Sequence, residues 1–246
     1  MSATAYAKLI LEVTRTIADT QMNAISKTAG AAANSIANGG ILHVFGSGHS
    51  HMAAEDVFFR AGGLACVNAM LEYPLMELNV GRTSSMERLH GYAEVIMSGY
   101  RMEAGEVAII VSNSGINAVP IDIALACKER GLTVAAITSL RHSEAVASRH
   151  KDGLKLAEIA DIVIDNGGVP GDAALQTDAA VTVRYGPTST LSAILIMQMI
   201  VAEIVASLVE RGFTPPMFKS ANQPGAEGND RLLRQYQERV RYFPKR

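Results

Sequence analysis

The chain has 246 residues, 48% of them hydrophobic and 19% charged, with a formal charge of −2 from 22 basic and 24 acidic side chains. This excludes a disordered chain, which combines low hydrophobicity with high net charge, and supplies no overall basic field for nucleic acid. With no Trp, 6 Phe and 7 Tyr, the core must come from Ala, Val, Ile, Leu and Met, as in layered α/β proteins.

A chain of this length buries enough surface to fold without disulfides or a structural metal. Cys66 and Cys127 lack CxxC spacing and sit in apolar stretches, so they read as buried thiols of a reducing compartment. Residues 2–37 read as one long helix or a helix pair, with apolar positions at Leu9, Ile10, Val13, Ile17 and Ile25. They lack the unbroken apolar run of a signal peptide. Asn38-Gly39-Gly40 then ends the helical rhythm.

Ile41–Phe45 is a short apolar run entering Gly46-Ser47-Gly48, which reads as a buried strand running into a tight turn. A helix is expected from about His49 to Ala61, and a second strand at Leu64–Val67. Val107–Val111 enters Ser-Asn-Ser-Gly, and the helix after it runs to Arg130, with Gly131 at its end. Further strands are expected at Leu132–Ile137, Asp161–Ile164 and Val181–Val183. Leu191–Val209 reaches membrane-spanning length, yet it carries Gln198 and Glu203, and the expectation is a buried helix within residues 187–211. Apolar runs without clean alternation, separated by helices, indicate a parallel sheet covered on both faces. The expected architecture is one doubly wound α/β domain over residues 38–212. A helical N-terminal extension (1–37) precedes it, and a C-terminal loop and helix (213–246) follow, packed on the domain or on a partner subunit. A soluble, cytoplasmic chain is expected.

Two strand-to-helix turns carry unusual chemistry: Gly46-Ser47-Gly48-His49-Ser50, and Ser112-Asn113-Ser114-Gly115-Ile116-Asn117. Open α/β sheets bind ligands at their carboxyl edge, and helix N-termini there offer unpaired N–H groups and partial positive charge to a phosphate. Ser47, Ser50, Ser112, Asn113 and Ser114 add polar groups, and Gly115 permits close backbone approach. Asn117 has two readings, as a cap for the following helix or as a donor to phosphate. A dinucleotide fingerprint fails because His51 stands where the third glycine belongs, and neither turn has the Gly-Lys of a P-loop.

The segment VAIIVSNSGINAVPIDIALACKERGLTVAAITS resembles the phosphate-binding half of the sugar isomerase (SIS) family. GSGHSHMAAEDVFFRAGG resembles that family's first Gly- and Ser-bearing turn, and GPTSTLSAILIMQMIVAEI its last helix. With FKSANQPGAEGND near the C-terminus, the whole looks like the stand-alone members of the family. The resemblance implies a three-layer, flavodoxin-like fold, a sugar-phosphate ligand, aldose–ketose isomerisation through an enediol, and no redox cofactor. It also implies a homodimer or homotetramer with shared sites, in which Lys219, Asn222 or Glu227 completes a neighbour's pocket. Asn117 stands where many relatives have Thr. The positions that carry metal ligands in phosphoheptose isomerases fall on Asp56 and Arg60, which argues against a zinc-dependent heptose isomerase. No metal is therefore expected. Alternative readings are a sugar-phosphate lyase or etherase and a non-catalytic sensor.

An enediol mechanism needs a base, and ring opening needs an acid–base group. Glu72, after the second strand, falls where several SIS enzymes place a functional carboxylate and is the expected base. His49, at the start of the first helix, is the expected ring-opening or hydroxyl-contacting group. Glu87 has a structural reading, since Ser84-Ser85-Met86-Glu87 spells a capping box. His90 reads as a surface or locally satisfied residue, and His142 and His150 as solvated. His49 and His51 alone lack a third metal ligand.

Overall fold

In a computed structural model the described residues are 2–176 and 184–245; the strand expected at Val181–Val183 lies outside them. Two helices open the chain, α1 (Ser2–Thr20) and α2 (Met22–Ala37). The order continues with β1 (Leu42–Gly46), α3 (His51–Asp56), β2 (Val67–Met70), α4 (Thr83–Met86), α5 (Tyr92–Met97) and β3 (Val107–Val111). Next come α6 (Ala118–Glu129), β4 (Thr133–Thr138), α7 (Leu140–Ala145), α8 (Leu156–Ile159) and β5 (Ile162–Asp165). The antiparallel pair β6 (Ala173–Leu175) and β7 (Tyr185–Pro187) leads into α9 (Ser189–Glu210), and α10 (Asn229–Tyr236) lies near the C-terminus.

The central sheet is parallel, with strand order β2-β1-β3-β4-β5. Every residue of β1, β2 and β3 is buried, which explains why these strands read as apolar runs and not as alternating patterns. One core fills the face covered by α2, α3 and α9, with Ile25, Ala29, Ala33, Ile196 and Ile200 at its centre. The other fills the face covered by α5, α6 and α8, around Phe45, Ile110, Ile121 and Leu156. This is the doubly wound, three-layer α/β arrangement expected from the sequence. α9 is long and apolar enough to cross a membrane, but one face of it is buried against the protein through Ser192, Ile196, Ile200 and Ile204.

Two local expectations fail for tertiary reasons. The first helix after β1 stops at Asp56, well short of Ala61, because Phe59 takes a left-handed conformation (φ 43°) and the chain turns away. There the rings of Phe58 and Phe59 join Phe218 and Phe243 in one aromatic cluster. Residues Gly62–Ala65 do not enter the sheet; they pair with the C-terminal segment through Leu64–Met217, Ala65 N–H to Pro216 O (2.7 Å) and Phe218 N–H to Gly63 O (2.9 Å). The edge strand therefore begins only at Val67. Nothing in the local sequence reports a pairing partner some 150 residues away.

A candidate anion-binding cleft at the sheet switch point

The strand order reverses between β1 and β3, and the crevice outside their carboxyl ends is where such sheets take ligands. Gly46 pairs with Val111, so Ser47 and Ser112 leave the sheet side by side. The two turns found in the sequence thus form the floor of one cleft of about 190 Å³, lined by Ser47, Gly48, His49, Ser50, Ser112, Asn113, Ser114 and Asn117. Glu87, His142, Asp172 and Ser189 complete its walls.

The first turn folds as a single 3₁₀ turn, with Ser50 N–H bonded to Ser47 O at 3.1 Å. Gly48 has φ 58°, and a Cβ there would stand 2.9 Å from a Glu77 carboxylate oxygen. The buried ring of His51 donates from Nδ1 to Gly48 O at 2.6 Å, so this histidine holds the turn and does not face ligand. His49 is solvent-exposed at the rim, its Nδ1 3.6 Å from Glu77.

In the second turn Gly115 has φ 63°, a conformation that glycine adopts without strain. Its N–H donates to Ser112 Oγ at 3.2 Å. Asn113 lines the cleft and is braced from behind: its Oδ1 accepts from Asn166 Nδ2 (3.0 Å), and its backbone carbonyl accepts from Ser139 N–H (2.9 Å). The hydroxyl of Ser114 has no hydrogen-bond partner among the described residues and lines the cleft. Asn117 begins α6 but makes no side-chain cap; its Oδ1 accepts from Arg149 Nη1 at 3.1 Å. Of its two sequence readings, the cap is therefore not formed.

Of the two carboxylates lining the cleft, Asp172 caps α9, and Glu87 Oε2 accepts from Ser47 Oγ at 2.9 Å. Burial pushes its carboxyl above the usual range, and hydrogen bonds from Ser47 and Asn117, with nearby Arg88 and Arg149, only partly offset that. A cleft carboxyl raised by burial is a candidate proton-transfer group. The expected capping box is absent. α4 starts at Thr83, one residue before Ser84, because buried Thr83 bonds Met76 O through its hydroxyl at 2.8 Å. Glu87 then falls at the C-terminal end of α4 and its side chain turns to Ser47.

Glu72 lies elsewhere, outside the lining of the cleft. Its Oε1 accepts from Arg241 Nη1 (2.6 Å) and Tyr100 OH (3.3 Å), tying the C-terminal segment to the edge strand. His142, read as solvated from sequence, lines the cleft half-buried; burial lowers its imidazole pKa and Asp172 only partly restores it. Asp172, absent from the sequence reading, caps α9 by accepting from Thr188 N–H (3.0 Å), Ser189 N–H (2.9 Å) and Ser189 Oγ (2.7 Å). Its signal in the sequence was the Gly171-Asp172 turn ahead of Thr188-Ser189. Asp56 pairs with Arg60 and accepts from Gln198 Nε2 (2.6 Å).

Hydroxyls, amides and the start of α6 thus meet at the switch point of a parallel 2-1-3-4-5 sheet, the place where doubly wound α/β proteins take their ligands. Residues 5–139 match the SIS domain family, and the chain belongs to it. A UPF0309 protein of Listeria innocua is 41% identical over 238 residues, covering 96% of both chains. A UPF0309 protein of Geobacillus thermodenitrificans is 44% identical over 219 residues, covering 88% of this chain and 87% of that one. Among solved structures, phosphoheptose isomerase GmhA from Neisseria gonorrhoeae gives a TM-score of 0.54 at 16% identity, covering 83% of this chain and 97% of that chain. Vibrio vulnificus NanR complexed with ManNAc-6P gives 0.53 at 14% identity, covering 95% and 69%. At these identities the structural likeness establishes the fold.

Proposed function

We propose that this protein binds a phosphorylated sugar in the switch-point cleft and interconverts its aldose and ketose forms through an enediol, with Glu87 as the base. The observation that carries the reading is the 2.9 Å bond between Glu87 and Ser47, which places a carboxyl of raised pKa beside the anion-binding turns. The phosphate is held by Ser50, Ser112, Ser114 and the start of α6. Asn117 and Arg149, bonded to each other, stand next to Glu87 and partly offset the upward push of burial on its carboxyl. Deprotonated Glu87 takes the proton from C2 of the open-chain aldose as O1 takes one from water, and returns it to C1 of the enediol as the 2-hydroxyl gives one up to water. This passage conserves mass and needs no redox cofactor. His142, with its imidazole pKa lowered, is a neutral group placed for ring opening, and His49 contacts hydroxyls at the rim.

The proposal moves the base from Glu72 to Glu87, since Glu72 is engaged by Arg241 and Tyr100 away from the cleft. The setting is a soluble, cytoplasmic protein that assembles as a homodimer or homotetramer. Exposed Tyr73, Leu78 and Val80 beside the rim support a subunit contact there.

The test is a thermal-shift screen of hexose, pentose, heptose and amino-sugar phosphates, followed by proton NMR of each hit in D₂O. A ligand raises Tm according to RT ln(1 + [L]/Kd). The expected result is a stabilising sugar phosphate whose C1 or C2 proton exchanges. Glu87→Gln should bind it and lose exchange by about 10²–10⁴-fold. If no sugar phosphate shifts Tm, or if Glu87→Gln exchanges at the wild-type rate, the reading fails. Release of a C3 substituent in place of exchange identifies the elimination chemistry instead.

A further inference from the structure

On the outer side of α6, away from the cleft, three side chains from separate segments converge. His90 comes from the turn after α4, Asp122 from α6, and His150 from the loop before α8. His150 Nε2 lies 2.9 Å from Asp122 Oδ1, and His90 Nδ1 lies 3.9 Å from Asp122 Oδ2. One ligand atom of each residue lies within 4.8 Å of the other two. The imidazoles of His90 and His150 meet edge to face, 5.2 Å between centroids. Contrary to the sequence reading, His150 is buried, while His90 opens to solvent.

We propose that His90, Asp122 and His150 form a binding site for a divalent transition metal of the zinc type. Two imidazoles and a carboxylate are the donor set that zinc takes at sites that keep a fourth position for water. Tetrahedral zinc with ligand bonds near 2.0–2.1 Å sets its ligand atoms about 3.3 Å apart. His150 Nε2 and Asp122 Oδ1 stand slightly inside that spacing at 2.9 Å, and movement of His90 closes its own distances to the other two ligand atoms, which lie within 4.8 Å. His90 is the mobile partner because it precedes Gly91, whose φ of 81° begins α5, and its side chain is unburied.

The surroundings favour a cation. The three residues open into a groove of about 380 Å³ whose rim carries Glu94, Glu129 and Asp152 against Lys151. His150 Nδ1 accepts the Asp152 N–H (3.2 Å), which leaves its proton on Nε2, donated to Asp122. Coordination through Nε2 moves that proton to Nδ1, where the Asp152 carboxylate stands 3.8 Å away. The Asp152 N–H bond is then given up.

The position of the site also gives it a role. Val119 N–H bonds Glu87 O (3.0 Å), Arg149 N–H bonds Ile116 O (2.9 Å), and Arg149 Nη1 bonds Asn117 Oδ1 (3.1 Å). Each ligand therefore follows closely in sequence a residue that builds the wall of the cleft. A metal here fastens the Glu87 turn, the start of α6 and the Arg149 loop to one another.

The experiment titrates the chelator-treated full-length chain with zinc chloride by calorimetry and with cobalt(II) by visible spectroscopy. Metal uptake is the readout, so the result does not depend on any sugar. The expected result is one zinc per chain, a rise in Tm, and the intense visible bands of four-coordinate cobalt. His90→Ala and Asp122→Asn should each weaken zinc binding at least 10-fold, whereas His49→Ala should bind as wild type. His90 is on the surface and its removal leaves the fold intact, which circular dichroism verifies. Absence of a saturable single zinc, or wild-type affinity in both His90→Ala and Asp122→Asn, overturns the proposal. So does loss of binding in His49→Ala alone.

Discussion

Replacing Glu106 with Gln tests how the C-terminal segment is held to the sheet. Glu106 lies at the entrance to β3, almost fully buried. Its carboxylate accepts from Ile41 N–H (2.9 Å) and Glu103 N–H (2.8 Å), meets His43 Nε2 at 3.0 Å, and is capped by Arg239. Burial by itself pushes this carboxyl up. The hydrogen bonds from His43, Glu103 and Ile41 outweigh that and bring it down from 4.5 to about 2. At about 1.4 kcal/mol per pKa unit, the ionised group contributes about 3 kcal/mol at pH 7. Because the folded pKa is depressed, that stability is complete above the unfolded value near 4.5 and is lost as pH falls toward 2. Urea denaturation at pH 7 should show Glu106→Gln less stable by about 3 kcal/mol, within the range for breaking a buried charge pair. By pH 3, as the wild type gives up its own contribution, more than half of the difference should be gone. A difference below about 1 kcal/mol at pH 7 refutes the argument. A difference that stays constant from pH 7 to pH 3 would show that packing, and not charge, sets the cost.

Gly115→Ala should be destabilised by about 1–2 kcal/mol, since φ is 63° and the new Cβ meets Thr138 Oγ1 at 3.0 Å and Leu156 Cβ at 3.3 Å. Thermal denaturation measures the loss, and calorimetry with the sugar phosphate found in the screen should show weaker binding than wild type. Asp172→Ala removes the acceptor for two N–H groups and a hydroxyl at the start of α9, and leaves Ala at φ 66°. The expected cost is about 2 kcal/mol in urea, with Asp172→Asn falling between the two because Asn accepts hydrogen bonds and tolerates that conformation.

The legible parts of this protein are those whose signal is local. β1 and β3 were readable because strands buried on both faces are continuous apolar runs, and the turns after them because glycine and serine there have few other uses. The burial of α9 was readable because Gln198 and Glu203 interrupt its apolar run; Gln198 indeed bonds Asp56 at 2.6 Å. The place of Glu87 in the cleft was not readable in the same way. Ser84 to Glu87 has the spacing of a capping box, yet Thr83 bonds Met76 O and the helix is capped at Arg82, two residues before Ser84, which puts Glu87 at its other end. Glu72 sits after a strand, as a functional carboxylate would, yet its partner Arg241 is 169 residues further along the chain.

The sequence by itself determined the layered α/β class and the two polar turns, because burial periodicity and turn chemistry act over a few residues. Tertiary structure alone decided which carboxylate shares the cleft, where the second strand begins, and that His90, Asp122 and His150 meet. Those outcomes depend on segments brought together by the winding of the sheet, and a pairing across 28 to 169 residues leaves no trace in either segment alone.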